Sequence, residues 1–124
     1  MKRDMDLVRK ILMACADHEH GYAPQDLAIE GYSEEQIGHH VYLMMQAGLI
    51  KGVDVSGGGD ASPLAEVASL TWAGHEFLEA SSDEGRWSRA KKAAGSTGGM
   101  VFDVLKSVLV GLATDAAKKA AGLP

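Results

Sequence analysis

The stretch GYSEEQIGHHVYLMMQAGLI, residues 31–50, decides the fold of this chain. Ser33 and Gln36 form a capping box, in which the serine side chain accepts a backbone N–H and the glutamine side chain reaches back to the capping residue. Apolar side chains then recur every three or four positions, which predicts a helix with one buried face over residues 33–47. Gly48 ends this helix, because glycine readily adopts the left-handed conformation. The predicted inner face consists of Ile37, His40, Val41, Met44 and Met45.

Two short extended segments follow this helix and are joined by a glycine-rich loop. KGVDVS is an extended segment in which Val53 and Val55 alternate with polar side chains, LAEVASLT is a second extended segment, and GGGDASP separates them. This pattern predicts a β-hairpin of about wing size over residues 49–71. Thr71 can then cap another helix, WAGHEFLEAS, whose apolar contacts are Phe77 and Leu78.

A further helix begins near the start of the chain. Asp4 can cap it, and apolar side chains from Leu7 to Cys15 share one face. The segment QDLAIEGY that follows is short and weakly patterned, which fits either a short edge strand or an irregular link. The order is therefore helix, link, helix, strand, wing, strand, helix. We predict a mainly α fold with a small β-hairpin (α+β), a winged helix-turn-helix followed by a C-terminal amphipathic helix.

The C-terminal part contains a glycine-rich hinge and a strongly amphipathic segment. GSTGG, residues 95–99, separates a winged-helix-like domain over residues 1–94 from a helix within residues 100–124. Apolar side chains of that helix must leave water, against their own domain or against a second copy. We predict self-association into a two-fold dimer, with folding back as the alternative. The stripe consists of Val101, Val104, Leu105, Val108, Leu109 and Leu112.

Composition and charge restrict the function classes. The chain has 124 residues, with 12 basic and 17 acidic side chains and a formal net charge of −5. This balance argues mildly against nucleic-acid binding, which depends on phosphate contacts. A single cysteine excludes an internal disulfide. The start MKRDMDLVRK lacks the apolar stretch of an export signal, and Asp103 and Lys106 interrupt the longest apolar run. We therefore expect a cytoplasmic protein without a membrane span.

Two groups of side chains are candidates for nucleic-acid contacts. In a DNA-binding interpretation, the helix 33–47 enters the major groove, with contacts from His39, Tyr42, Gln46 and Lys51. The outward face of that helix lacks Lys and Arg and carries two carboxylates near its start. A separate basic cluster is either a phosphate-binding patch or an ordinary solvated helix face. This cluster consists of Arg86, Arg89, Lys91 and Lys92.

Motifs for catalysis or metal binding do not occur in the sequence. The five histidines do not form an HExxH motif, and His39 and His40 point about 100° apart on a helix. His40 and His75 lie on or beside buried faces, where we expect hydrogen-bonded structural side chains. Cys15 lies on the apolar face of the first helix, as a small core residue does. We therefore predict a protein that is not an enzyme and has no cofactor or metal.

Three segments together resemble a bacterial and prophage-encoded family, domain of unknown function 2513. They are MKRDMDLVRKIL at the start, GYSEEQIGHHVYLMMQAGLI in the middle and LTWAGHEFLEA later, and the resemblance covers about residues 1–92. It implies a winged-helix-like fold and frequently a prophage context, and it carries no activity or functional residue over to this chain. We predict a non-enzymatic binding or regulatory module that acts through protein contacts and self-association. The alternative is a winged-helix DNA-binding transcriptional regulator using the helix 33–47 and the wing 49–71.

Overall fold

A computed structural model describes residues 1–96 and 100–124, and these residues form five helices and one two-stranded antiparallel sheet. The predicted fold class, mainly α with a small hairpin, is confirmed. The chain divides into two compact units, Met1–Leu78 and Glu79–Pro124. The elements are α1 (Met5–Ala16), α2 (Glu34–Gln46), β1 (Ile50–Asp54), β2 (Ala65–Leu70), α3 (Trp72–Ser81), α4 (Glu84–Gly95) and α5 (Phe102–Ala120).

The helix ends of the first unit form as the local sequence predicts. The Asp4 side chain accepts the first free N–H groups of α1, and both halves of the Ser33–Gln36 capping box are present on α2. Gly48 follows α2 with a φ of 77°, a left-handed conformation that an L-residue with a side chain adopts only with strain. These three signals fix where α1 begins and where α2 begins and ends.

The core of the first unit lies between α1, α2 and the hairpin. α1 packs on α2 and β2, and α2 packs on both strands. The inner face predicted for α2 is buried, except that Met45 is half-buried. The core side chains of the two helices and the hairpin are Met5, Leu7, Val8, Ile11, Leu12, Cys15, Ile37, Val41, Met44, Leu49, Ile50 and Ala65.

The start of α3 is held against the end of α2. Thr71 caps α3, since its Oγ1 accepts the N–H of Gly74 at 3.0 Å, and the same hydroxyl donates to the Gly48 carbonyl at 2.6 Å. The N–H of Thr71 donates to the Leu49 carbonyl at 3.2 Å. Gly74 approaches that carbonyl so closely that a Cβ would overlap its oxygen. A glycine is therefore required at this position for the two segments to meet.

The hairpin contains a bulge that ties it to the link between α1 and α2. Lys51 pairs with Ser69 and Gly52 with Val67, so Ala68 is an extra residue in β2. The Ala68 carbonyl accepts the N–H of Ala23 at 2.8 Å. Residues 17–33 contain no helix or strand. Of the two alternatives for this segment, the structure has the irregular link.

The second unit pairs α4 with α5. Asp83 caps α4 by accepting the N–H of Arg86 at 2.8 Å. The two helices contact each other, and the first half of α5 supplies buried side chains whereas every residue after Ala113 is exposed. The predicted hinge 95–99 falls inside this unit, and its residues 97–99 lie outside the described residues. The buried side chains are Trp87, Ala90, Ala94, Leu105 and Leu109.

Candidate binding surfaces

Residues 62–64, at the end of the hairpin loop, lie along the outward face of α2. The Ser62 hydroxyl donates to the Glu35 carboxylate at 2.8 Å, and His39 Nδ1 donates to the carbonyl of Pro63 at 2.9 Å. Leu64 follows so closely that a Cβ on Gly38 would lie 3.1 Å from its Cδ2. The first half of the helix face predicted to read DNA is therefore already in contact with the hairpin loop.

The four predicted DNA-contact residues are placed differently from one another. The rings of His39 and Tyr42 stack with a centroid distance of 6.2 Å and an interplanar angle of 13°, and both residues are half-buried. Gln46 lies one turn further along α2, and Lys51 lies on β1; both are exposed. The structure thus brings His39 and Tyr42 together and leaves Gln46 and Lys51 as exposed polar side chains near the helix end and on the strand.

His40 is a structural residue, as its place on the buried face of α2 predicts, whereas the same expectation for His75 is wrong, because His75 is exposed. The His40 side chain is 2% exposed, its Nε2 accepts the backbone N–H of Asp4 at 2.8 Å, and its Nδ1 lies 2.8 Å from the carbonyl of Gln36. A backbone N–H can only donate and a carbonyl can only accept, so the ring is neutral with its proton on Nδ1. This pair of bonds joins α2 to the start of α1.

Tyr32 connects the end of the link between α1 and α2 to Asp4, at the start of α1. Its hydroxyl donates to the Asp4 carboxylate at 2.9 Å, and the Lys10 ammonium lies 5.5 Å from its ring centroid. Partial burial, followed by the hydrogen bond and negative charge of Asp4, raises the pKa of the Tyr32 phenol. The neutral phenol therefore holds residues 22–32, which we call the link segment, against α1.

A groove of about 910 Å³ lies between the link segment, α2 and β2. This volume falls within the range of protein sites that bind ligands. Sequence reasoning missed the groove, and the alternation of Leu27 with Ile29 was the local signal that one face of the link is apolar. Its apolar lining includes Leu27, Ile29, Ile37, Val41, Leu64 and Val67.

Negative charge is concentrated around this groove. Asp26, Glu34 and Glu66 line it, and no Lys or Arg is among its lining residues within the described chain. The first unit contains five basic and twelve acidic residues, a formal charge of −7, whereas the second unit contains seven basic and five acidic residues, a formal charge of +2. The net negative charge of the chain therefore lies in the unit that contains the groove.

The basic cluster of α4 is partly used inside the second unit. The Arg86 guanidinium donates to the carbonyls of Ala80 at 3.3 Å and Glu79 at 3.4 Å, at the end of α3. The Lys91 ammonium lies 5.5 Å from the centroid of the Trp87 ring. Arg89 and Lys92 are exposed. Two members of the predicted phosphate patch thus stabilise the unit. Arg86 does so because a cation is favourable beside the last carbonyls of a helix, and Lys91 does so through its contact with the Trp87 ring.

The predicted self-association stripe of α5 divides into buried and exposed members. Leu105 and Leu109 are completely buried in the chain. Val108 and Leu112 are half-buried. Val101 is 54% exposed and Val104 is 39% exposed. Fewer apolar side chains are therefore available for contact with a second copy than the stripe predicted from the sequence contains.

The only cysteine in the sequence is not in an environment that activates a thiol. Cys15 is buried on α1, and this burial raises the pKa of its thiol to about 11. The thiolate is the reactive form, so the side chain is inert at neutral pH.

Within residues 1–96 and 100–124, no three His, Cys, Asp or Glu side chains form a group that could hold a metal ion. No helix among the same residues has the length and apolar character needed to span a bilayer.

Comparison with known proteins places the chain in a family. Residues 2–100 match the family described as Hypothetical protein (DUF2513). The chain belongs to this family. An "Uncharacterized protein" of Haemophilus influenzae (strain ATCC 51907 / DSM 11121 / KW20 / Rd) is 32% identical to this DUF2513 member over 111 residues, which cover 87% of the chain and 92% of the relative. No solved structure matches the chain. The family match extends through the whole first unit and α4, which confirms the resemblance.

Proposed function

We propose that this DUF2513 protein is a non-enzymatic binding module that recognises another protein through the groove between the link segment, α2 and β2. The observation that supports this proposal is the groove itself, which combines about 910 Å³ of volume with a lining of apolar and acidic side chains. Binding sites are commonly concave and mostly apolar, with a few polar groups that fix orientation. Asp26, Glu34 and Glu66 are those polar groups here.

The outward face of α2 also supports a protein partner over a nucleic acid. Glu34 and Glu35 lie in the first turn, where a DNA phosphate would meet two carboxylates. Ser62 and Pro63 of the wing contact the same face. We propose a winged-helix-like scaffold whose usual reading surface is partly covered and whose binding surface is the groove. A prophage origin and a cytoplasmic location stay predictions from the sequence.

The test uses the full chain and a random-peptide display library. Ala28 is exposed and lines the groove, so Ala28→Trp fills the groove without disturbing the core. Ala16→Trp is the matched control, because Ala16 is exposed at the end of α1, outside the groove lining. We expect the selected peptides to bind Ala28→Trp at least about tenfold more weakly, a loss of about 1.4 kcal/mol, and to bind Ala16→Trp normally. Failure to select peptides, or equal binding to both variants, would contradict the proposal.

DNA binding by Tyr42, Gln46 and Lys51 is the second candidate, and the exposure of Gln46 and Lys51 is what favours it. The full chain should be titrated with random-sequence duplex DNA at about 50 mM salt, where phosphate-driven binding is strong. We expect no binding. A complex that weakens steeply with salt and is reduced by Lys51→Gln would support the regulator instead.

Self-association through α5 is part of the same proposal. Leu105 and Leu109 are covered within the chain, so a second copy would contact the exposed valines of this helix. A two-fold arrangement places the same patch on both partners.

A further inference from the structure

The outer edge of β2 carries backbone groups that face the groove. Val55 donates its N–H to the Leu64 carbonyl at 2.9 Å, which marks these residues as a hydrogen-bonded pair of the hairpin. In an antiparallel ladder such pairs alternate, so Glu66 faces Val53 in the next bonded pair. The N–H and C=O groups on either side of Glu66 therefore point away from β1. They belong to Ala65 and Val67, which both line the groove.

This edge has no neighbouring strand in the described chain. The link segment reaches it through the bond from Ala23 to the Ala68 carbonyl, at the bulge. Within residues 1–96 and 100–124, no backbone hydrogen bond from the link reaches the outer groups of Ala65 or Val67. The edge is unpaired but recessed, since Ala65 is 4% exposed and Val67 is half-buried, and an unpaired strand edge is a template for a further strand.

The groove supplies walls for the side chains of such a strand. Successive side chains of an extended chain point to opposite faces, so alternate residues would meet the same wall. Leu27 and Ile29 of the link segment form an apolar wall on one side, and Leu64 and Val67 of the hairpin lie on the other; all four are half-buried, whereas Ile37 and Val41 belong to the core beneath. Apolar residues at every second position would fill this space.

We propose that the groove takes an extended segment of a partner protein, added as a third strand along the outer edge of β2, with apolar residues at alternate positions and Lys or Arg between them. This inference rests on the proposed function and adds the binding mode and the chemistry of the partner. The basic residues are required by charge complementarity, because Asp26, Glu34 and Glu66 line the groove without a basic lining residue in the described chain. Main-chain hydrogen bonds supply affinity in this mode, and the alternate side chains supply specificity.

The first experiment tests the backbone contacts. Peptides selected on the full chain are synthesised with a single N-methyl group at each position in turn, which removes one N–H donor at a time. Only alternate residues of an added strand donate to the edge. We expect N-methylation at every second position to lower affinity about tenfold or more, and the intervening positions to tolerate it. A uniform response at all positions would overturn strand addition.

The second experiment tests the charge of the partner. Glu66→Lys reverses an exposed charge in the groove, and Glu76→Lys is the control, because Glu76 is exposed on α3 outside the groove lining. We expect the selected peptides to be rich in Lys or Arg and to lose about tenfold or more in affinity for Glu66→Lys but not for Glu76→Lys. Peptides without basic residues, or equal loss in both variants, would overturn the predicted partner chemistry.

The outcomes separate this inference from the proposed function. Peptides that are lost with Ala28→Trp and respond uniformly to N-methylation would retain the groove as the binding site and overturn strand addition. Peptides indifferent to Ala28→Trp would overturn both. A concentration-dependent dimer of the unchanged protein that disappears in Ala28→Trp would show that a second copy fills the groove, which overturns the partner segment.

Discussion

At the residue scale, His40 joins two helices through a buried neutral ring. Replacing it with phenylalanine keeps an aromatic ring but leaves the N–H of Asp4 without its acceptor. An unsatisfied buried group costs about 1–3 kcal/mol. We expect His40→Phe to lower the free energy of unfolding by that amount in urea titrations followed by circular dichroism. His75→Phe is the control, since His75 is exposed, and equal stability of the two variants would show that the bond is unimportant.

Cys15 gives a prediction about pH. Its thiol pKa is raised from 9.0 to about 11 by burial, so ionisation is disfavoured in the folded state. A group whose folded pKa lies above its unfolded value stabilises the fold below the unfolded pKa, and this contribution is lost as pH rises through the folded value. We expect the stability difference between the unchanged protein and Cys15→Ala to be constant below about pH 9 and to shrink between about pH 9 and 11.

The reactivity of the same thiol provides the measurement at neutral pH. Because burial raises the pKa of the Cys15 thiol from 9.0 to about 11, the thiolate fraction at pH 8 falls about a hundredfold. Ellman's reagent should therefore react slowly with the folded protein and rapidly after unfolding in urea. Rapid reaction of the folded protein would show that the environment of Cys15 is open.

At the scale of elements, the junction of α2, β1 and α3 depends on Gly74. A Cβ at this position would overlap the Leu49 carbonyl oxygen, so α3 must shift away from the end of α2. Overpacking of this kind lowers the free energy of unfolding by about 1–3 kcal/mol. We expect the upper end of this range, because the added Cβ meets a backbone oxygen and not a flexible side chain. We expect Gly74→Ala to lower the midpoint of thermal unfolding.

Gly111 of α5 is the matched control for this substitution. An added Cβ there meets no atom within 4 Å, and alanine is favoured over glycine within a helix by about 0.5–1 kcal/mol. Gly111→Ala should therefore be neutral or stabilising. A similar loss of stability in both variants would mean that the junction is not the cause.

The ends of these elements were predictable because their signals are local. The Ser33–Gln36 box spans three residues, and the left-handed Gly48 follows directly from its place after α2. The conformation of the link segment could not be predicted from local signals, since the alternation of Leu27 and Ile29 fits a short edge strand and an irregular link equally. Its conformation depends on the bond from Ala23 to Ala68, which joins residues far apart in the sequence.

At the scale of the whole molecule, the exposed valines of α5 lead to a prediction about mass in solution. Val104 is 39% exposed, and a second copy that packs on α5 would bury it. We expect the unchanged protein to be a dimer by light scattering and Val104→Lys to be a monomer at the same concentration. Ser107→Lys, at an exposed position of the same helix, should leave the dimer intact. A monomeric unchanged protein at all concentrations would show that the self-association proposal is wrong.

The sequence by itself determined the fold class, the helix caps, the turn glycine and the buried face of α2. Each of these depends on residues within one or two turns of chain, where the pattern of side chains and the backbone chemistry act together. The position of the hairpin loop, the covered members of the α5 stripe and the existence of a groove could not be predicted in this way. Those features depend on pairs such as His39 and Pro63, or Asp4 and His40, which are 24 and 36 residues apart. Side-chain periodicity contains no information about such distant pairs, so it could not predict the groove.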